Sequence, residues 1–392
     1  MGHKERAHSL LSPSGAHRWL ECTPSAKLEA AFPDVSSEAA EEGTLAHELA
    51  EMKLRNYFAP SNFSRQKLNR GITRLKKDPL WDNEMMRHTD TYVDYIKAKS
   101  MEFDHQPYIE IEKKVDLSRY IPDGSGTADC IMVSGDTLLV VDLKYGKGVP
   151  VSAEGNPQLA LYALGEYDVS KLLYPIKKIR MSIVQPRLDS ISEWECSADE
   201  LEAFGRYAKE RAALAVKGEG EFRPGSKTCR FCKARAQCRA RAEKNVQLAF
   251  FSDKRPPLIS DEEVGSYLNQ GEDVAKWLKD LQDYALKQCL AGKEIPGWKA
   301  VEGRGSREWT DMEQAFLTLQ DSGIAKELLW ESRPLTLAQV EKEVGKKFFE
   351  SCVGGFVVKK PGKPTLVKDS DKRPAVTNQV TAEEVFKDQE EN

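Results

Sequence analysis

The spacing of hydrophobic positions changes along this chain at about residue 105. Between residues 36 and 55, Leu45, Leu49 and Met52 recur at helical intervals among acidic residues, with His47 beside them. Residues 12 to 22 and 84 to 100 also read as helices, and residues 60 to 79 as a basic loop. The period then shortens to two, and YIEIEKKV (108 to 115), GTADCIMV (126 to 133) and TLLVVDLK (137 to 144) predict a β-meander. A helix (154 to 167), a strand (177 to 185) and a further amphipathic helix (198 to 216) follow. The order α, β, β, β, α, β, α predicts an α/β fold.

Pro256-Pro257 then marks a boundary, and residues 260 to 292 are helical, with Val264, Leu268, Val274, Leu278, Leu281 and Leu286. Two helices (311 to 320 and 336 to 348) and a tail from about residue 360, expected to be weakly ordered, complete the chain. Two domains are expected: residues 1–250, and a mainly α accessory domain over 251–392. The accessory part holds no phosphate loop or Walker lysine, so no motor is expected. Its long helix reads either as an oligomerisation element or as a nucleic-acid contact, and Trp298 and Trp309 either as core or as contact residues. The oligomeric state is open.

Composition narrows the class. With 40% hydrophobic and 31% charged residues and no apolar run near the roughly 18 residues of a membrane span, no membrane partner is expected. The polar N-terminus predicts a cytoplasmic protein. A net charge of −4, from 58 basic and 62 acidic side chains, argues against indiscriminate coating of nucleic acid. The average conceals two basic runs, from Arg65 to Lys77 and from Arg223 to Lys244. Either suits a phosphate backbone or is simply a solvated face.

The candidate chemistry lies in the second hairpin. Gly135-Asp136 is a plausible two-residue type II′ turn, which sets Ser134 against Thr137, Val133 against Leu138 and, further along, Asp129 against Asp142. Opposed carboxylates with Cβ atoms roughly 4.5 to 5.5 Å apart destabilise a sheet unless a cation lies between them. Lys144 follows on the face of Asp142, while Leu139, Val141 and Leu143 point to the core. Hard oxygen ligands suit Mg2+ or Mn2+, which activates water for attack on phosphorus; a solvated hairpin with an Asp–Lys pair is the plain alternative. Gln158 and Tyr162 share one face of the next helix.

Gly43, Thr44 and His47 (G-T-x-x-H), Gly126 and Asp129 (G-x-x-D), Asp142 and Lys144 (D-x-K), and Gln158 and Tyr162 (Q-x-x-x-Y) follow one another in that order. Over about residues 10 to 245 the chain thereby resembles the RecB-type branch of the PD-(D/E)XK nuclease superfamily. The resemblance implies a restriction-endonuclease-like core, a central mixed β-sheet flanked by helices, with metal held by His47, Asp129, Asp142 and the Leu143 carbonyl. It makes Lys144 catalytic and places Gln158 and Tyr162 near substrate or the lysine. It also implies a DNA exonuclease acting on linear ends or single strands. The layout, with GWKAVEGRGSREWTD in the second part, is similar to phage-associated RecB-like proteins. That implies DNA recombination or processing in a bacterial host, with a single-strand annealing protein as a possible partner. A catalytically silent DNA-binding or adaptor protein on the same scaffold is the alternative.

Cys229-x2-Cys232-x5-Cys238 gathers three thiols in ten residues, and Cys22 is the best candidate for a fourth. Cys130, Cys196, Cys289 and Cys352 read as small buried hydrophobes. One cysteine before the core and three after it is similar to iron–sulfur members of the superfamily, including AddAB-type and CRISPR-adaptation nucleases, which implies a structural [4Fe-4S] cluster. Zn2+ on the same four residues is the alternative. Either would staple the N-terminal segment to the end of the domain across about 200 residues.

Overall fold

The computed structural model describes residues 10–34, 37–247, 260–301, 312–321, 337–353 and 357. The chain divides into two compact units, Met1–Val301 and Glu302–Asn392. In the first, a 3-10 turn (Pro13–Gly15) precedes helices α1 (Ala16–Trp19), α2 (Pro24–Glu29), α3 (Glu38–Phe58), α4 (Arg65–Leu75) and α5 (Glu84–Met101). Strands β1 (Tyr108–Asp116), β2 (Ser125–Ser134) and β3 (Thr137–Leu143) form the meander. After α6 (Pro157–Ser170) come β4 (Lys178–Gln185), β5 (Ser190–Ser197) and α7 (Ala198–Lys217). Helices α8 (Arg239–Gln247) and α9 (Asp261–Leu290) close the unit.

The five strands lie in sequence order. β3 and β4 are parallel and the other neighbours antiparallel, so the sheet is mixed, as expected. A parallel pair needs a crossover, and α6 supplies it, lying across the face that carries Leu138 and Val140. Helices α3 and α5 cover the opposite face, where Ala50, Leu54, Tyr92 and Ile96 meet Cys130, Leu139, Val141 and Leu143. β3 is therefore buried on both sides, and the expected clean separation of a core face from a chemical face does not hold. Leu138 and Val140, which share the alternation of Asp142, are fully buried. Each such side chain contributes about 1.5–3 kcal/mol through burial.

Several elements differ from expectation, and α2 and α8 are additional to those expected. β5, SISEWECS, turns Ser190, Ser192, Trp194 and Cys196 inward while Ile191 is exposed, an alternation too weakly hydrophobic to register. Residues 65–75, expected as loop, are helical. The Ser64 hydroxyl caps α4 by accepting from Lys67 N, and Leu68, Ile72 and Leu75 turn toward Leu45 and Met52 of α3.

The second unit contains α10 (Met312–Asp321), α11 (Leu337–Val344) and α12 (Lys346–Val353). Gly345, at φ 84°, separates the last two where a single helix was expected. Pro256-Pro257, Trp309 and the tail beyond residue 360 lie outside the described residues. No helix among the described residues is long and apolar enough to cross a membrane.

Candidate metal centre and cysteine site

Gly135 has φ 57° while Asp136 is not left-handed, consistent with a type II′ turn. The rungs run from Ser134–Thr137 to Cys130–Val141, the register that the turn predicts. There the ladder ends. At the next position the Leu143 amide donates to Asp129 Oδ2 at 2.7 Å instead of to a strand carbonyl. The other oxygen, Asp129 Oδ1, lies 3.1 Å from His47 Nδ1, which α3 carries to the sheet.

Glu112 of β1 joins them, and His47, Glu112 and Asp129 each offer a ligand atom within 4.8 Å of the others. This glutamate was not among the sequence candidates. It lies between the rungs Ile111–Cys130 and Lys113–Ala128, opposite Asp129, and has φ 52°. A non-glycine residue held in that region is strained by about 1–3 kcal/mol, a cost concentrated at functional sites.

Asp142, only 3% exposed, takes its partners from the α6 side. Lys144 Nζ donates to Asp142 Oδ1 at 3.2 Å and to Gln158 Oε1 at 3.0 Å. Gln158 Nε2 donates to the same Asp142 oxygen at 3.3 Å and to the Tyr162 hydroxyl at 3.1 Å. Asn156 caps α6, accepting from Gln158 N and Leu159 N, and so fixes where Gln158 points. Gly126 is required because a Cβ there would lie 2.6 Å from the Tyr162 ring. By contrast, a Cβ at Gly43 would point into open space. Asp142 Oδ2 is buried without a hydrogen bond. The Lys144 ammonium is 2.9 Å away, so the ion pair is real but its angles leave this oxygen's lone pairs unfilled.

The charges are strongly linked. Burial raises the Asp142 pKa and Asp129 adds to the rise, against the pull of Lys144. For Asp129, burial is outweighed by His47 and by the Leu143 amide, so its pKa is lowered. For His47, burial is outweighed by the Asp129 carboxylate and the pKa rises to about 9. Burial opposes the Lys144 charge, but Asp142 more than restores it. Tyr92 Oη, buried and without a partner, is pushed up by burial and then by Asp129. The two carboxylates and one imidazole of Glu112, Asp129 and His47 fit a hard divalent cation such as Mg2+ or Mn2+, and Asp142, which lies outside that group, adds an unfilled carboxylate oxygen to the same charged network. Leu143 lies between the two aspartates, with its N–H already engaged.

Cys22, Cys229, Cys232 and Cys238 line one pocket with Arg18 and Arg235. Backbone amides point at two of the sulfurs, Arg223 N to Cys22 Sγ and Gly225 N to Cys229 Sγ, both at 3.4 Å. Burial raises the thiol pKa of Cys229, and that of Cys232 to about 12. Four cysteines around one pocket, two of them facing amide donors, have the donor chemistry of a thiolate-bound metal group. The N-terminal segment is fastened independently: Thr23 Oγ1 donates to the Glu219 carbonyl at 2.6 Å and Arg211 Nε to the Leu20 carbonyl at 2.6 Å. Cys130 and Cys196 are buried as expected, but Cys289 is half-buried and Cys352 exposed, both on helix surfaces with too few neighbours to cover them. The second basic run is partly neutralised, since Asp280 of α9 accepts from Arg235 at 2.8 Å and from buried Arg241 at 2.5 Å.

Among solved structures, the crystal structure of SSO0001 is similar to 56% of this chain and to 95% of its own length, with 15% identity and a TM-score of 0.24. That likeness bears on neither fold nor function. A family model described as "Protein of unknown function (DUF2800)" matches residues 8–374, and the chain belongs to that family.

Proposed function

We propose that this protein is a metal-dependent deoxyribonuclease of the RecB-like PD-(D/E)XK type, acting as an exonuclease in phage-type DNA recombination or processing. The observation that carries the reading is the convergence at one strand end of His47, Glu112 and Asp129 with the Asp142–Lys144–Gln158 network. A bound Mg2+ or Mn2+ would supply Lewis acidity at a phosphate oxygen and lower the pKa of the attacking water. Asp129, Asp142 and Glu112 supply the negative charge that attracts the ion, and His47, once neutral, would add a nitrogen ligand. Lys144, kept charged by Asp142, is aimed by Gln158 toward the place where charge develops on phosphorus. Tyr162 fixes Gln158 from below.

The four cysteines support a structural [4Fe-4S] cluster that would reinforce the N-terminal attachment, with Zn2+ as the other occupant of such a donor set. Anaerobically purified protein is brown with visible absorbance in the first case and colourless in the second.

Incubation with end-labelled linear and closed circular DNA in Mg2+ or Mn2+ tests the activity. Linear DNA is degraded and circular DNA spared, and Asp142→Ala and Lys144→Ala each lower the rate by roughly 10²-fold or more. Undiminished cutting by both variants refutes the assignment. DNA binding without cutting by the wild type leaves the silent scaffold as the answer.

A further inference from the structure

We propose that the outer face of α4 is a sequence-independent binding surface for a nucleic-acid phosphate backbone, guiding a strand to the metal centre; it rests on the nuclease reading only in naming the site to which the strand leads. From Arg65 to Lys77 there is no acidic residue, and Arg65, Lys67, Arg70, Arg74, Lys76 and Lys77 are all exposed. Four of them, Arg65, Arg70, Lys76 and Lys77, make no side-chain ion pair or hydrogen bond among the described residues. Like charges three and four residues apart destabilise a helix unless a counter-charge is supplied from outside.

The helix is positioned for this use. Arg74 pairs with Glu48, the residue after His47, and Leu75 shares an apolar cluster with Tyr145, the residue after Lys144. The C-terminal end of α4 therefore packs beside the segments that carry His47 and Lys144, and its eleven residues extend for about 16 Å. Along a duplex lying parallel to it, that length spans about five phosphates of one strand, one per roughly 3.4 Å of helix axis. A Cβ at Gly71 would collide with Met52, so the helix sits tightly on α3.

The alternative target of a basic amphipathic helix is an anionic bilayer, which requires a free apolar face. Here that face is occupied, because Leu68, Ile72 and Leu75 pack against α3 and its neighbours. The second basic run is a weaker candidate, since Arg235 and Arg241 are held by Asp280 and Lys233 by Asp34.

The test is binding of the full chain to a labelled duplex with a single-stranded overhang, by fluorescence anisotropy across a KCl series without added divalent ion. Arg70→Ala/Lys77→Ala lowers the slope of log K against log [KCl] by about 2 and weakens binding equally for unrelated sequences. Arg206→Ala/Lys209→Ala, exposed on α7 over the opposite sheet face, leaves the slope unchanged. An unchanged slope in the α4 variant, an equal loss in both variants, or α4-dependent binding to phosphatidylserine vesicles in place of DNA overturns the proposal. If the α4 variant loses slope while Asp142→Ala cuts at the wild-type rate, the surface stands and the catalytic assignment fails.

Discussion

If the proposed centre takes up Mn2+ or Mg2+, binding is expected to expel a proton from His47. Without the ion, His47 Nδ1 lies 3.1 Å from Asp129 Oδ1, and the carboxylate holds the imidazole protonated up to about pH 9. A metal-ligating histidine must be neutral, so binding at about pH 7.5 releases about one proton per ion. The apparent affinity then rises about tenfold per pH unit and levels off above 9. The metal-free protein runs the other way. The His47–Asp129 attraction is fully present below the ordinary value of 6.5 and disappears as pH rises through about 9. Asp142, pushed up by burial, can only add to the release. Calorimetric titration in two buffers of equal pH and different ionisation enthalpy reads the proton count. His47→Gln lowers it by about one proton. Release of less than about half a proton by the wild type, or the same release from His47→Gln, refutes His47 as a ligand.

Other outcomes follow from packing and charge. In Gly126→Ala the new Cβ lies 2.6 Å from Tyr162 Cε1 and 2.9 Å from Pro13 Cγ, so urea unfolding detects a loss of about 1–3 kcal/mol; a wild-type midpoint contradicts this. Asp280→Ala leaves Arg241, 3% exposed, without its carboxylate, at a cost of about 3–5 kcal/mol seen as faster hydrogen exchange across α8 and α9. Burial works against the charges of Glu102 and Glu193, but hydrogen bonds from Lys99 outweigh it and lower both pKa values. Their contribution is present above the ordinary 4.5 and disappears as pH falls through the lowered values. Glu102→Gln/Glu193→Gln therefore flattens the acid limb of Tm against pH.

The register of the second hairpin is legible from the sequence because a two-residue turn leaves no freedom once Gly135 is placed. The i, i+4 relation of Gln158 and Tyr162 is legible for the same kind of reason, since helical periodicity is local, and their hydrogen bond realises it. Whatever depends on a longer connection is not. β1 reaches β2 through residues 117–124, which fix no register, so nothing in the sequence sets Glu112 beside Asp129. The burial of Asp142 follows from where the α6 crossover lands, a tertiary fact absent from the strand's own alternation. For α4 the signal was present: Ser64 as cap and Leu68, Ile72 and Leu75 at helical spacing, obscured by the density of charge.

Glu112 and Asp129 also mark the rung at which the sheet turns over. In β2, Cys130 and Met132 pack toward α3 and α5, whereas Ala128, of the same alternation, belongs to the opposite core. In β1, Ile111 packs with the first set and Val115 with the second. The pairing offset is identical before and after, so no residue is inserted, and both strands must rotate at the same unpaired rung. The left-handed Glu112 is that rotation in one strand. Regular pleating would send Asp129 to the α6 side with Ile131, away from His47; the twist instead delivers it to α3. The strain at Glu112 and the meeting of His47 with Asp129 are thus two consequences of one distortion. The residue that bears the strain also brings its own carboxylate to the site.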